Sequence, residues 1–246
     1  MYTYHMATKP HLSVIIPAHN EAKRLPLTLI DIDRHLSRAP FSYEIIVVDN
    51  ASTDATKEIV HRFSSIIKNL SVIECPAKGK GIAVQKGMLE ARGDIRLFTD
   101  ADNSTSIDQF FKMEHYFKEG YDVVIASRYI SGAQMEPPQA WYRTFMRGNF
   151  FIQWVILKGI KDTQCGFKAF SEKAATTIFP LSDVPGWAFD VEVLALARHF
   201  GFRIAEMPVT WVNDFASRVK ASAYIQVFFD VARIRLRFAR GYYGEE

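Results

Sequence analysis

The sequence predicts an α/β fold, with a mostly parallel central sheet flanked by helices. Three observations predict it. Short apolar runs rich in valine and isoleucine alternate with stretches of helical spacing from residue 12 to residue 127. Polar or acidic residues follow the ends of these runs, as in VVDNASTD and FTDADNST. The chain has 246 residues, 48% of them hydrophobic, enough for one large domain with a sizeable core.

The elements follow in order. LSVII (12–16) is a buried strand. Residues 21–37 space Leu25, Leu29, Ile32 and Leu36 as a helix. YEIIVVD (43–49) is a second strand, and 53–67 a helix with Ser52 or Thr53 as its N-cap. LSVIEC (70–75) is a third strand, 82–91 a helix, and DIRLFTD (94–100) a fourth strand. A helix over 107–118 leads to YDVVIAS (121–127), the fifth strand. Beyond it the rhythm changes. Residues 132–139, with Pro137 and Pro138, read as a loop, and 141–157 as an apolar helix carrying Arg143 and Arg147 one turn apart. DTQCGFKAF (162–170) is extended and 171–178 a short helix. Residues 188–199 form another helix, 202–211 a strand pair or a strand bent at Pro208, and 221–240 the last helix. No linker interrupts the chain, so it reads as a single domain, 1–246.

Composition excludes several classes. A net charge of +3, with no arginine-rich arm or aromatic RNA-binding signature, argues against nucleic acid. Cys75 and Cys165 belong to no metal or redox spacing and suit a reducing compartment. The opening MYTYHMATKP lacks the apolar core of a signal peptide, and no run approaches the ~20 residues that span a bilayer.

In parallel sheets ligands bind beyond the carboxyl ends of the strands. That makes 17–21, 49–54, 100–102 and 127–128 the candidate segments. Asp100 and Asp102 are the sharpest feature. In an extended segment residues i and i+2 point to one side, so both carboxylates can face one ligand. Oxygen ligands suit Mg²⁺ or Mn²⁺, and Mg²⁺ typically joins one or two carboxylates to substrate phosphates. Alternatively they are surface or capping aspartates, with Asp102 turned to Ser104 and Thr105. Asp49 can accept from a base N–H or a ribose hydroxyl, or cap a helix. Glu21 suits a first helical turn. Lys80, in the basic turn KGKG, can reach a phosphate, although the phosphate-loop ending GK[ST] is absent.

As a set, PAHNEAKRLPLTL, YEIIVVDNASTDAT, KGKGIAVQKGMLEARGD and FTDADNST resemble the inverting glycosyltransferases of family 2, which have the GT-A fold. DTQCGFKAF, GWAFDVEVLALA and EMPVTW resemble its dolichyl-phosphate β-glucosyltransferase branch, which moves glucose from UDP-glucose to a polyisoprenyl phosphate. The resemblance implies a Rossmann-like GT-A domain. Residues 12–130 would bind the nucleotide sugar, 131–220 form an acceptor-side extension, and 221–246 a basic helix and tail. It implies that Pro17, Ala18, Glu21 and Asp49 hold the uridine. Lys80, Asp100 and Ala101 would complete the nucleotide-sugar site, and Asp102 with Asp100 would bind the metal, Mg²⁺ or Mn²⁺. Arg128 would lie near the sugar and phosphates, and Asp190 would face the reacting centre. Arg218, beside Ser217, would supply a cation. For the acceptor phosphate, Arg143, Arg147 and Ser217 are the candidates, with a solvated helix edge as the alternative for the two arginines. The chain departs from the pattern at His19, Asn50, Asn103, Gly186 and Ala216, and the N-terminal membrane helix of eukaryotic members is not expected in it.

A lipid acceptor requires a membrane surface. On the last helix Ile225, Phe228, Phe229, Ala232, Leu236 and Ala239 form one apolar face, and Val227, Val231, Ile234 and Phe238 a second. Arg233, Arg237 and Arg240 fill one gap between the faces and Arg235 the other. One face packs on the domain; the other needs anionic lipid or another subunit of a homo-oligomer. The expectation is a metal-dependent hexosyltransferase, peripheral on the cytoplasmic face of a membrane. Its alternatives are a saccharide acceptor in surface-glycan synthesis, or a nucleotide-sugar-binding protein without turnover.

Overall fold

A computed structural model of the protein describes residues 9–136, 156–212 and 221–244; of 221–225 it describes the backbone only. The strands are β1 (Leu12–Ala18), β2 (Tyr43–Asp49), β3 (Leu70–Glu74), β4 (Ile95–Thr99), β5 (Val123–Ser127), β6 (Gln134–Glu136), β7 (Phe167–Ser171), β8 (Ile204–Pro208) and β9 (Thr210–Val212). The helices are α1 (Leu25–Leu36), α2 (Thr56–Phe63), α3 (Lys80–Glu90), α4 (Phe110–Lys118), α5 (Glu172–Ile178), α6 (Phe189–His199) and α7 (Ala221–Ala239). A 3-10 turn, Ile107–Gln109, leads into α4.

Seven strands form the central sheet in the order β3-β2-β1-β4-β7-β5-β8. All pair in parallel except β7, which lies antiparallel between β4 and β5. The order reverses between β1 and β4, and ligands bind at such a switch point. Alternate side chains feed two cores. Ile15, Ile46, Val48, Phe98 and Phe170 meet α3, α5, α6 and α7 on one face. Val14, Ile16, Val47, Leu97 and Phe167 meet α1, α2 and α4 on the other.

Several boundaries differ from expectation, each for a specific reason. Helix α1 begins at Leu25 because the chain first turns, with Arg24 N–H donating to the Glu21 carbonyl, and Pro26 then opens the helix. Helix α2 begins at Thr56 rather than 53 and has no side-chain cap. Ser52 and Thr53 are occupied elsewhere: the Ser52 hydroxyl accepts from Asn20 N–H, and Thr53 N–H donates to Asn20 Oδ1. Residues 134–136, expected as loop, pair in parallel with β9. The strand pair around Pro208 exists, but its halves serve different sheets. The expected helix over 141–157 lies almost wholly outside the described residues, and Leu157 is buried in non-helical chain.

Candidate active site

The loops after β1 and β2 are tied together. Besides Asn20, Glu21 N–H donates to Thr56 Oγ1, and His19 Nδ1 lies 2.7 Å from the Asn50 carbonyl oxygen. The Asn50 amide donates to the carbonyls of Cys75 and Ala77 while its oxygen accepts from Gly79 N–H. An aspartate in this position could not make the two donations. Asp49, at the end of β2, is buried, and its Oδ1 has no hydrogen-bond partner. A buried carboxylate oxygen left without a donor is costly, so Asp49 suits a ligand that brings one. Both Glu21 oxygens accept from the Arg24 guanidinium, which itself reaches to 3.9 Å from Asp102 Oδ2.

At the end of β4 the chain turns rather than staying extended through Asp102. Asp102 Oδ1 accepts from Ser104 N–H at 3.0 Å, the turn arrangement weighed above as the alternative. The turn does not expose the pair. Burial pushes the Asp102 carboxyl above its usual range, and the neighbouring Asp100 charge adds to this. Asn103 follows at φ 54°, a left-handed conformation that asparagine tolerates well among non-glycine residues. Thr28 Oγ1 donates to the Ala101 carbonyl and so fixes the turn to α1.

Lys80 is the first residue of α3, not part of a loose turn. Its ammonium lies 2.6 Å from Asp100 Oδ1 and 5.1 Å from the centre of the Trp187 ring. Burial opposes its charge, but Asp100 and Asp190 outweigh burial and raise its pKa. Gly79 and Gly81 flank it against the 184–185 backbone. A Cβ on Gly81 would lie 2.2 Å from the Val184 carbonyl oxygen, so only glycine permits this approach.

Asp190, in the first turn of α6, is buried and ion-paired to Lys168 of β7 at 2.5 Å. Burial pushes the Asp190 carboxyl up, against the pull of Lys168 and Lys80. Arg128, just after β5, is also buried. Its Nε and Nη2 donate to the two oxygens of Asp162, and its guanidinium stacks 4.7 Å from the Trp211 ring centre. Burial disfavours its charge, but Asp162 more than compensates and raises its pKa.

The structure therefore gathers Pro17, Ala18, Glu21, Asp49, Lys80, Asp100, Ala101 and Asp102 at the carboxyl ends of β1, β2 and β4, with Asp190 within electrostatic range of Lys80 and Asp100. Arg143, Arg147, Ser217 and Arg218 lie outside the described residues. Sequence reasoning assigned no role to Lys168 or Asp162, although both lie in DTQCGFKAF; the signal for Lys168 was a lysine inside the apolar run of FKAF.

Among the described residues no three His, Cys, Asp or Glu side chains converge as a ligand set. Two carboxylates suffice for a cation that takes its remaining ligands from phosphate and water. Asp100 and Asp102 fit that role: they are close enough for their like charges to oppose one another, a repulsion a divalent ion relieves.

Comparison with known proteins gives the architecture its relatives. The description "Glycosyl transferase family 2" matches residues 13–179. A dolichyl-phosphate beta-glucosyltransferase of Dictyostelium discoideum is 37% identical over 94% of this chain and 76% of its own length. The Homo sapiens enzyme of that name is 33% identical over the same shares. Among solved structures, glucosyl-3-phosphoglycerate synthase from Mycobacterium tuberculosis, in complex with Mn²⁺, UDP and glucosyl-3-phosphoglycerate, superposes with a TM-score of 0.72. That likeness covers 92% of this chain and 80% of the other, and at 19% identity it speaks to the fold. The chain belongs to glycosyl transferase family 2 and is a glycosyltransferase.

Proposed function

We propose that the protein transfers glucose, with inversion, from UDP-glucose to the phosphate of a polyisoprenyl phosphate, dolichyl or undecaprenyl. The observation that carries this reading is the meeting of Asp49, with its unpartnered buried oxygen, and the Asp100–Asp102 pair at the sheet's switch point. The dolichyl-phosphate glucosyltransferases that match over 94% of the chain support the sugar and the lipid.

Each residue has a part in this scheme. Pro17, Ala18, Glu21 and Asp49 hold the uridine, with Asp49 accepting from the base or ribose. Asp100, Ala101 and Lys80 hold the donor, and the Lys80 ammonium offsets charge on the diphosphate. Asp100 and Asp102 would hold Mg²⁺ or Mn²⁺, which supplies Lewis-acid stabilisation to the departing diphosphate when bound. Arg128, clamped by Asp162, keeps one guanidinium nitrogen for a sugar or phosphate oxygen. Arg143, Arg147, Ser217 and Arg218 receive the acceptor phosphate.

A phosphate monoester has its second pKa at about 6, so it arrives already ionised and needs no general base. The Asp190–Lys168 ion pair suits that acceptor, because its carboxylate is engaged rather than waiting for a proton. The raised pKa of Asp190 is the observation that favours the alternative, a saccharide hydroxyl deprotonated by Asp190.

No helix among the described residues is long and apolar enough to cross a membrane. On α7, Val231 and Ile234 are buried against the domain, whereas Phe229 and Leu236 are 62% and 52% exposed. With Arg233, Arg235 and Arg240 exposed nearby, that side suits an anionic lipid surface on the cytoplasmic face. A second subunit is the other occupant to test.

The deciding experiment measures UDP released from UDP-glucose with polyisoprenyl phosphate, with saccharide acceptors, and with neither. Release that requires the lipid phosphate supports the proposal. Release only with saccharides replaces it.

A further inference from the structure

Lys168 lies within β7 between Phe167 and Ala169, and its side chain is fully buried. A charge buried there needs partners, because leaving it unpaired is costly. Three neighbours supply them. Asp190 Oδ1, on α6, accepts from the Lys168 ammonium at 2.5 Å, the Cys165 carbonyl, in the turn before β7, accepts from it as well, and the Phe98 ring of β4 lies 5.4 Å away. Two of these neighbours border Asp100. Phe98 stands two residues before it in the chain, and Cys165 precedes Gly166, whose carbonyl accepts from Asp100 N–H. Lys168 therefore joins Asp190 to the strand end that carries Asp100. Packing does not require this arrangement, because well-fitted apolar side chains commonly replace a buried ion pair without loss of stability.

We propose that Lys168 is a positioning residue for the transfer: its ammonium holds the Asp190 carboxylate in one orientation beside Asp100 and acts through Asp190, not on the substrate. This rests on the reading that Asp190 faces the reacting centre.

A double-mutant cycle tests it, using Lys168→Met, Asp190→Asn and the double variant in the full-length chain. The readouts are kcat and the KM for UDP-glucose, from UDP release with polyisoprenyl phosphate. Lys168→Met is expected to lower kcat roughly 10- to 100-fold, the scale of a misplaced reacting group, with KM changed less than about twofold. Adding Lys168→Met to Asp190→Asn is expected to leave kcat within about twofold of Asp190→Asn, because residues that act as one unit do not lose rate independently. Multiplying losses, or a Lys168→Met enzyme with wild-type kcat, would overturn the proposal. If Lys168→Met does not fold, the double variant, which carries no lone buried charge, still decides by the same comparison with Asp190→Asn. A wild-type kcat for Asp190→Asn would remove the premise and the proposal together. Failure of the functional reading looks different: the wild type releases no UDP with the lipid phosphate, and the cycle then runs on whichever acceptor supports turnover.

Discussion

A Cβ on Gly166 would fall 1.9 Å from Asp100 Oδ2, so the turn before β7 and the carboxylate after β4 are fitted with no space for a methyl group. The obstructing atoms are all of the Asp100 carboxyl group, the end of a side chain that can rotate away. Gly166→Ala should therefore fold, with thermal stability near wild type, while displacing the Asp100 carboxylate. We expect kcat to fall about 100-fold, as for other small misplacements of reacting groups. A melting curve and a UDP-release assay on the same preparation check both halves.

The Arg128–Asp162 pair should dominate local stability. Both groups are buried, and removing one partner strands the other charge, at a cost of about 3–5 kcal/mol. Asp162→Ala should show that loss in urea unfolding. The pair also carries a pH signature. Burial opposes the Asp162 charge, but Arg128 outweighs it and holds the carboxyl below its ordinary 3.8. A carboxyl whose folded pKa lies below its unfolded value adds stability above the unfolded pKa, and that stability drains as pH falls through the folded one. Asp162→Asn should accordingly flatten the acid side of the stability curve below about pH 4.

The two sides of α7 should behave oppositely. Ile234 is fully buried, and Ile234→Ala should cost about 2–5 kcal/mol in unfolding experiments. Phe229→Ser with Leu236→Ser should change stability by no more than about 0.5 kcal/mol per site. The same double change should weaken co-sedimentation with vesicles containing anionic lipid. Unchanged vesicle binding, with a lower oligomeric state, would assign this side to another subunit.

Chelation should stop the reaction. With EDTA, UDP release from UDP-glucose should fall to background and return on adding excess Mg²⁺ or Mn²⁺. Full activity after exhaustive chelation would remove the metal from the proposed scheme.

Cys165 should be chemically silent. Burial pushes its thiol up to about 12, and the thiolate is the reactive form. Native protein should resist alkylation at pH 7.5 and label at Cys165 only after denaturation, as mass spectrometry of the alkylated peptides would show.

Much of the fold was legible because its signals are local. The runs at 12–16, 43–49 and 121–127 become β1, β2 and β5 within a few residues, since β-branched apolar runs between turns admit few alternatives. The starts of α1 and α2 were less legible because Glu21, Ser52 and Thr53 are bound up in long-range ties. A helix signal read from adjacent residues cannot register a hydroxyl already committed to a loop more than thirty positions away.

The candidate site divides in the same way. The sequence by itself determined that Asp49 ends one strand and that Asp100 and Asp102 follow the end of another, and a parallel sheet delivers strand ends to one edge. Only the tertiary structure decided that β7 runs antiparallel between β4 and β5, that Lys168 meets Asp190 across 22 positions, and that Arg128 meets Asp162 across 34. The physical reason is range. Periodicity and turn chemistry act over a few residues, whereas a buried charge is satisfied by whichever distant partner the packed chain brings beside it.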